Sequence, residues 1–93
     1  MKLKDQVALV TGGGRGIGLA ICRCLAEEGA AVVVADVDEA AAREAASSLE
    51  GWGPRVRAVS LDVREEGSVR RAVRETLDGC GRIDVQVNNA GVL

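Results

Sequence analysis

The sequence contains no histidine, tyrosine or phenylalanine, and a single tryptophan, Trp52. Without histidine it lacks the commonest metal ligand and the commonest general base. Its three cysteines, Cys22, Cys24 and Cys80, are odd in number and form no C-x-x-C pair. That excludes a disulfide framework and a thiolate zinc site. Cys22 and Cys24, two apart on a predicted helix, point to different faces, and the three thiols read as small apolar fillers and a loop thiol. No apolar run approaches the length of a membrane span, and no signal-type apolar region follows Met1, so the expected location is cytoplasmic, with no membrane partner. A net charge of −2 gives no electrostatic case for nucleic acid. Arg70, Arg71 and Arg74 are interleaved with carboxylates, as on a solvated helix surface.

What is present is a regular alternation. The apolar run Gln6 to Val10 predicts a strand buried on both faces. A helix follows from Gly16 to Glu28, with Ile17, Ala20, Ile21, Cys24 and Leu25 as its apolar face and Gly29 as its stop. A second strand covers Ala31 to Ala35 and ends at Asp36. The second helix, Asp38 to Leu49, starts on an Asp38 N-cap. Gly51-Trp52-Gly53-Pro54 breaks the chain, with Trp52 read as a cover over the helix end. A third strand runs from Arg55 to Leu61. The third helix, Glu66 to Asp78, buries Val69, Ala72, Val73 and Leu77, and Gly79-Cys80-Gly81 stops it. A fourth strand, Ile83 to Val87, leads into Asn88-Asn89-Ala90-Gly91. The order β-α-β-α-β-α-β calls for one α/β domain, a parallel sheet with right-handed helical crossovers.

Ligands of such sheets bind at the carboxyl ends of the strands. Four signals fall there: the turn Thr11-Gly12-Gly13-Gly14-Arg15-Gly16-Ile17-Gly18, Asp36, Asp62 and the Asn88-Asn89 pair. A glycine turn between a strand and a helix puts backbone N–H groups and the positive end of the helix dipole at a phosphate. Asp36, 18 residues past Gly18, is placed to accept hydrogen bonds from adenosine ribose hydroxyls, or else merely opens the turn ahead of Asp38. A carboxylate there repels a 2′-phosphate and favours NAD over NADP. Arg15 meets such a phosphate or pairs with Asp36. Asp62 and Val63 lie at the adenine, or at a plain strand-end turn. One asparagine of the pair ties the fourth strand to the glycine turn, and the other faces the cofactor. The turn lacks the Gly-Lys-Ser/Thr ending of a P-loop.

The chain resembles the short-chain dehydrogenase/reductase family. Thr11 to Gly18 match its T-G-x-x-x-G-x-G turn, Asp62-Val63 its adenine-side pair, and Asn88-Asn89-Ala90-Gly91 its N-N-A-G. The resemblance spans essentially all 93 residues and corresponds to that family's N-terminal cofactor-binding half. It implies a partial, doubly wound Rossmann-type sheet and an oxidoreductase cofactor, NAD, with NADP possible. By it, Gly12, Gly14, Arg15, Gly16, Ile17 and Gly18 hold the pyrophosphate side and Asp36 the adenosine ribose. Asp62 and Val63 take the adenine. Asn89, with Ala90 and Gly91, lines the cofactor ribose, while Asn88 stabilises the central strand.

Two local departures stand out: Gly14 where many members carry a hydroxyl, and Gln86 at a usually aliphatic strand position. The family's catalytic serine, tyrosine and lysine have no counterpart here, so no residue takes a catalytic role. Two readings follow. One is the dinucleotide-binding half of an NAD-dependent oxidoreductase, inactive alone. The other is a non-catalytic nucleotide-binding or interaction module, self-associating through the exposed edge of its fourth strand.

Overall fold

A computed structural model describes residues 3–52 and 55–89. Its elements are β1 (Val7–Thr11), α1 (Gly16–Glu27), β2 (Ala31–Asp36), α2 (Glu39–Ser48), β3 (Val56–Ser60), α3 (Glu66–Cys80) and β4 (Val85–Asn88). All strand pairs are parallel, in the order β3-β2-β1-β4. The chain therefore moves outward from β1 through β2 to β3, then crosses back to the far side of β1 for β4. That reversal opens a crevice at the carboxyl ends of β1 and β4, where the two connections diverge.

Strand alternation divides the core. Val10, Val32 and Val34 face α1 and α2 and pack with Cys22, Ala26, Ala42, Ala45, Ala46 and Leu49. Val7, Leu9 and Val33 face α3 and pack with Leu61 and Ala72. Every residue of β1 and β2 is buried, as continuous apolar runs in a two-sided sheet require. Each buried valine contributes roughly 1.5–3 kcal/mol relative to exposure. The alanines of α2 let that helix lie close over β2 and β3.

The helix faces differ from the periodicity. In α1 the buried stripe is Gly18, Cys22 and Ala26, while Ile21 and Leu25 are half-buried and Ala20 and Cys24 exposed. Ile17 is 74% exposed. The helix is rotated because Gly18 must touch the turn before it, which brings the smallest side chains of the helix onto the sheet. Cys22 is thus a core filler, its thiol pushed up to about 12 by burial, whereas Cys24 lies at the surface.

In α3 the buried residues are Ala72 and Thr76, whose hydroxyl donates to the Ala72 carbonyl at 2.8 Å. Val69 and Val73 are half-buried and Leu77 is 39% exposed. This helix also outlasts its predicted stop. Gly79 and Cys80 are helical, so Cys80 is no loop thiol, and the turn falls to Gly81, left-handed at φ +83°.

Likewise β4 starts two residues later than predicted. Asp84 is already bonded to β1, its N–H donating to the Val7 carbonyl and its Oδ2 accepting from the Val7 N–H at 2.8 Å. Trp52 does more than cover the end of α2. The Arg23 guanidinium of α1 stacks 3.9 Å from its ring centroid, while also pairing with Glu27. Among the described residues no helix is long and apolar enough to cross a membrane.

Candidate functional site

The site is built from four strand ends. β1 ends at Thr11, whose Oγ1 donates to the Val87 carbonyl (3.2 Å) and accepts from the Asn89 N–H (3.0 Å). That one hydroxyl couples β1 to the end of β4. Gly12 then turns at φ +64°, a left-handed conformation that glycine adopts without a Cβ penalty. Its carbonyl accepts from Asn89 Nδ2 at 3.2 Å, and the Gly13 N–H donates to the Ala35 carbonyl of β2 at 3.1 Å. The turn is thereby pinned to both strands that flank β1.

Helix α1 begins on this pinned turn, and the approach is close. A Cβ on Gly18 would lie 2.0 Å from the Gly12 carbonyl oxygen and 2.7 Å from Asn89 Nδ2. Only glycine lets the first turn of α1 rest on the loop. The start of α1 also lacks a side-chain cap. Arg15, its N-cap, makes no side-chain cap hydrogen bond, and no acid sits in the first turn. By contrast α2 has the Asp38 cap and Glu39. The N-cap of α3, Glu65, makes no side-chain cap hydrogen bond either, but is followed by the acidic Glu66 in the first turn. With no acid in its first turn and no side-chain cap, the start of α1 has backbone N–H groups and a positive dipole end of the kind that suits an anion.

Asp36 stands beside them at the end of β2, only 9% exposed. Its Oδ2 accepts from the Gly14 N–H and its Oδ1 from the Asp38 N–H, each at 3.0 Å. Each oxygen keeps a lone pair for a hydroxyl donor. Asp36 thus opens the turn before α2, and its two oxygens are each bonded to one backbone N–H with acceptor capacity to spare. Gly14 is needed for this contact. A Cβ there would sit 2.8 Å from Asp36 Oδ2 and 3.0 Å from the Ala41 Cβ. The absent hydroxyl at Gly14 is the counterpart of a carboxylate packed against the turn.

Arg15 does not pair with Asp36. Its Nη2 donates to Asp38 Oδ2 at 2.6 Å. The Ala41 N–H, and then Arg15, hold the Asp38 carboxyl below the usual carboxylate range.

The end of β3 joins through the Leu61 N–H, which donates to the Asp36 carbonyl at 3.0 Å. Asp62 follows, half-buried, but its carboxylate is not free. Arg64 donates to Oδ1 and Oδ2, each at 3.1 Å, and adds its own backbone N–H to Oδ1 at 3.0 Å. These bonds hold Asp62 below its ordinary range, the Arg64 side chain foremost. Val63 and Val37, on the loops after β3 and β2, are 38% and 63% exposed. They offer apolar surface at the same edge.

The structure therefore gathers Gly12, Gly14, Arg15, Gly16, Ile17, Gly18, Asp36 and Asn89 around one turn, with Asp62 and Val63 on the neighbouring strand end. Ala90 and Gly91 lie outside the described residues. Of the asparagine pair, Asn89 makes the tie to the turn. Asn88 is exposed and accepts from Gln86 Nε2 at 3.1 Å within the same strand, which gives that odd glutamine a surface partner. Sequence reasoning does not reach Val37, Arg64 or the second role of Asp38, for which the pattern gives only a helix cap. The Asp-x-Asp spacing of Asp36 and Asp38 was the available signal.

A dinucleotide fits this edge on the structure's own terms. The glycine turn leaves a cradle that a Cβ would fill, the helix start lacks a side-chain cap, and a carboxylate is held beside it. Among the described residues no group of three or more His, Cys, Asp or Glu could hold a metal ion.

A family model described as short chain dehydrogenase matches residues 6–93. The sex determination protein tasselseed-2 of Zea mays is 54% identical over 93 residues, covering 99% of this chain and 27% of that protein. The sorbitol dehydrogenase of Cereibacter sphaeroides is 44% identical over 92 residues, covering 99% of this chain and 35% of that protein. Among solved structures, the Pseudomonas aeruginosa RhlG/NADP active-site complex superposes with a TM-score of 0.91 at 37% identity, over 98% of this chain and 36% of that one. The chain thus spans between a quarter and two fifths of the length of these relatives.

Proposed function

The chain belongs to the short chain dehydrogenase family, and on that premise we propose that its 93 residues form the NAD-binding half-domain of an oxidoreductase. The proposed reaction moves a hydride between an alcohol or carbonyl carbon and the nicotinamide, which supplies the redox chemistry when bound. The observation that carries this reading is the pairing of an uncapped α1 start on a glycine cradle with the Asp36 carboxylate bonded into the same turn.

Each residue then has a binding task. The N–H groups at the start of α1 take the pyrophosphate. Asp36 accepts from the adenosine ribose hydroxyls and opposes a 2′-phosphate, which favours NAD, with NADP as the weaker ligand. Asp62, with the apolar surface of Val37 and Val63, receives the adenine. Asn89 holds the turn in shape and lies toward the cofactor ribose. None of these side chains is a general acid or base for a carbonyl, and the sequence contains no tyrosine or histidine. Acid/base catalysis therefore does not reside in these residues.

The test is calorimetric titration of the chain with NAD, ADP-ribose and nicotinamide mononucleotide, alongside an assay for alcohol-dependent NAD reduction. NAD and ADP-ribose are expected to bind with similar affinity, nicotinamide mononucleotide to give no heat, and no turnover to occur. A folded chain that binds none of the three, or one that turns over, contradicts the reading.

A further inference from the structure

Asp38 uses its two carboxylate oxygens for different purposes. Oδ1 accepts from the Ala41 N–H at 3.1 Å and caps α2. Oδ2 holds the Arg15 guanidinium at 2.6 Å and so spans from the start of α1 to the start of α2. Asp36 is bonded to the residues on either side of that bridge, to the Gly14 N–H and the Asp38 N–H. One cation and two carboxylates therefore surround the end of β2. Resting on the dinucleotide reading above, this is where the adenosine 2′ position lies.

We propose that Asp38 is a specificity-determining residue that keeps NADP out by holding Arg15. A 2′-phosphate placed beside Asp36 needs a cation to offset the like charge. Arg15 is the nearest candidate on the glycine turn, and it is already paired. Taking it for the phosphate would break the Arg15–Asp38 bond and leave a second bare carboxylate facing the newcomer. A 2′-hydroxyl makes no such demand. The pair is open to solvent, with side chains 69% and 47% exposed, so it adds little to stability. Its consequence is for ligand choice, where one charge-assisted bond is decisive.

The division of labour between the two oxygens supplies a clean variant. Asp38→Asn keeps an oxygen for the Ala41 N–H, since asparagine caps helices as well as aspartate does. Its amide nitrogen is a donor and cannot accept from Arg15. Asp38→Ser, also a good cap without charge, serves as a second variant. NAD and NADP affinities are measured at low salt for the wild type, Asp38→Asn, Arg15→Ala and the double variant, forming a cycle.

The NADP-to-NAD affinity ratio is expected to rise about tenfold or more in Asp38→Asn, the scale of one charge-assisted bond. The rise should vanish in the double variant. An unchanged ratio in Asp38→Asn and Asp38→Ser, in proteins that still bind NAD, overturns the proposal. So does an equal rise in the double variant, which would mean that Asp38 acts by direct repulsion and not through Arg15. If the folded wild type binds neither dinucleotide, the underlying dinucleotide reading itself fails, a result distinct from an unchanged ratio.

Discussion

Replacing Gly18 by alanine is expected to destabilise the protein by about 3 kcal/mol or more, at the top of the range for overpacked sites. The added Cβ would lie 2.0 Å from the Gly12 carbonyl oxygen, a backbone atom with no rotamer to escape into. Relief requires either lifting α1 off the turn or moving Gly12. The first pulls Cys22 and Ala26 away from the sheet, since they follow Gly18 on the same buried stripe. The second breaks the bond from Asn89 Nδ2 to the Gly12 carbonyl.

Against a total stability of roughly 5–15 kcal/mol, that is a large share. For a domain of this size it corresponds to a fall in Tm of roughly 12 °C or more. Thermal melting followed by circular dichroism checks it. A midpoint within about 2 °C of the wild type, less than the shift expected from 1 kcal/mol, would show that the close approach is not tight. Gly51, whose Cβ would meet nothing within 4 Å, is the matched control.

Asp36→Ala is the second large effect, and it acts on both folding and ligand. The substitution removes the acceptor for two N–H groups at once, those of Gly14 and Asp38. Each loss costs about 1–3 kcal/mol if the N–H group stays buried without a partner. The loop is partly open to water, which brings the expected destabilisation to about 2 kcal/mol in all. NAD affinity should fall more than tenfold, because the ribose acceptors go and the glycine turn loses its brace. NADP should lose less, since removing the carboxylate also removes the repulsion of a 2′-phosphate. Titration of both dinucleotides against Asp36→Ala and Asp36→Asn reads this directly. Equal losses for NAD and NADP would contradict the role of Asp36 in choosing between them.

The sequence carried the architecture because its buried strands are uninterrupted. Val7 to Val10 and Ala31 to Ala35 have no polar residue, and a parallel sheet covered on both faces is the structure that tolerates such runs. The turn residues at Gly29 and the Asp38 cap then fixed where α1 ended and α2 began. The rotation of α1 was less legible. Periodicity ranks side chains by hydrophobicity and so placed Ile17 inside, whereas the contact is decided by closeness, which favours Gly18, Cys22 and Ala26. Leu77 was misplaced for a related reason. Helix α3 covers β2 and β3 with a narrow stripe around Ala72 and Thr76, and its remaining apolar residues lie at the margin.

At the site, the glycines, Asp36 and Asn89 were legible because each sits at a strand end in a recognisable spacing. The partners of the charges were not. For Arg15 the sequence offers a 2′-phosphate or a pair with Asp36, whereas the side chain reaches Asp38. For Asp62 the sequence offers an adenine contact or a plain strand-end turn, and neither anticipates Arg64, which bonds its carboxylate from two residues away. Long side chains choose partners by three-dimensional reach, which a linear spacing does not encode.

The central claim is that the carboxyl edge of the sheet, around the start of α1, binds a dinucleotide. The most direct measurement is an amide ¹H–¹⁵N spectrum of the chain titrated with NAD. The account predicts that the shifts centre on Gly12 to Gly18, Asp36 to Asp38, and Asp62 and Val63. Arg23 and Trp52, together with the outer face of α3 around Arg70 to Leu77, should stay in place. Shifts centred on the stacked Arg23–Trp52 pair or on α3, or a well-dispersed spectrum that NAD leaves unchanged, would contradict it.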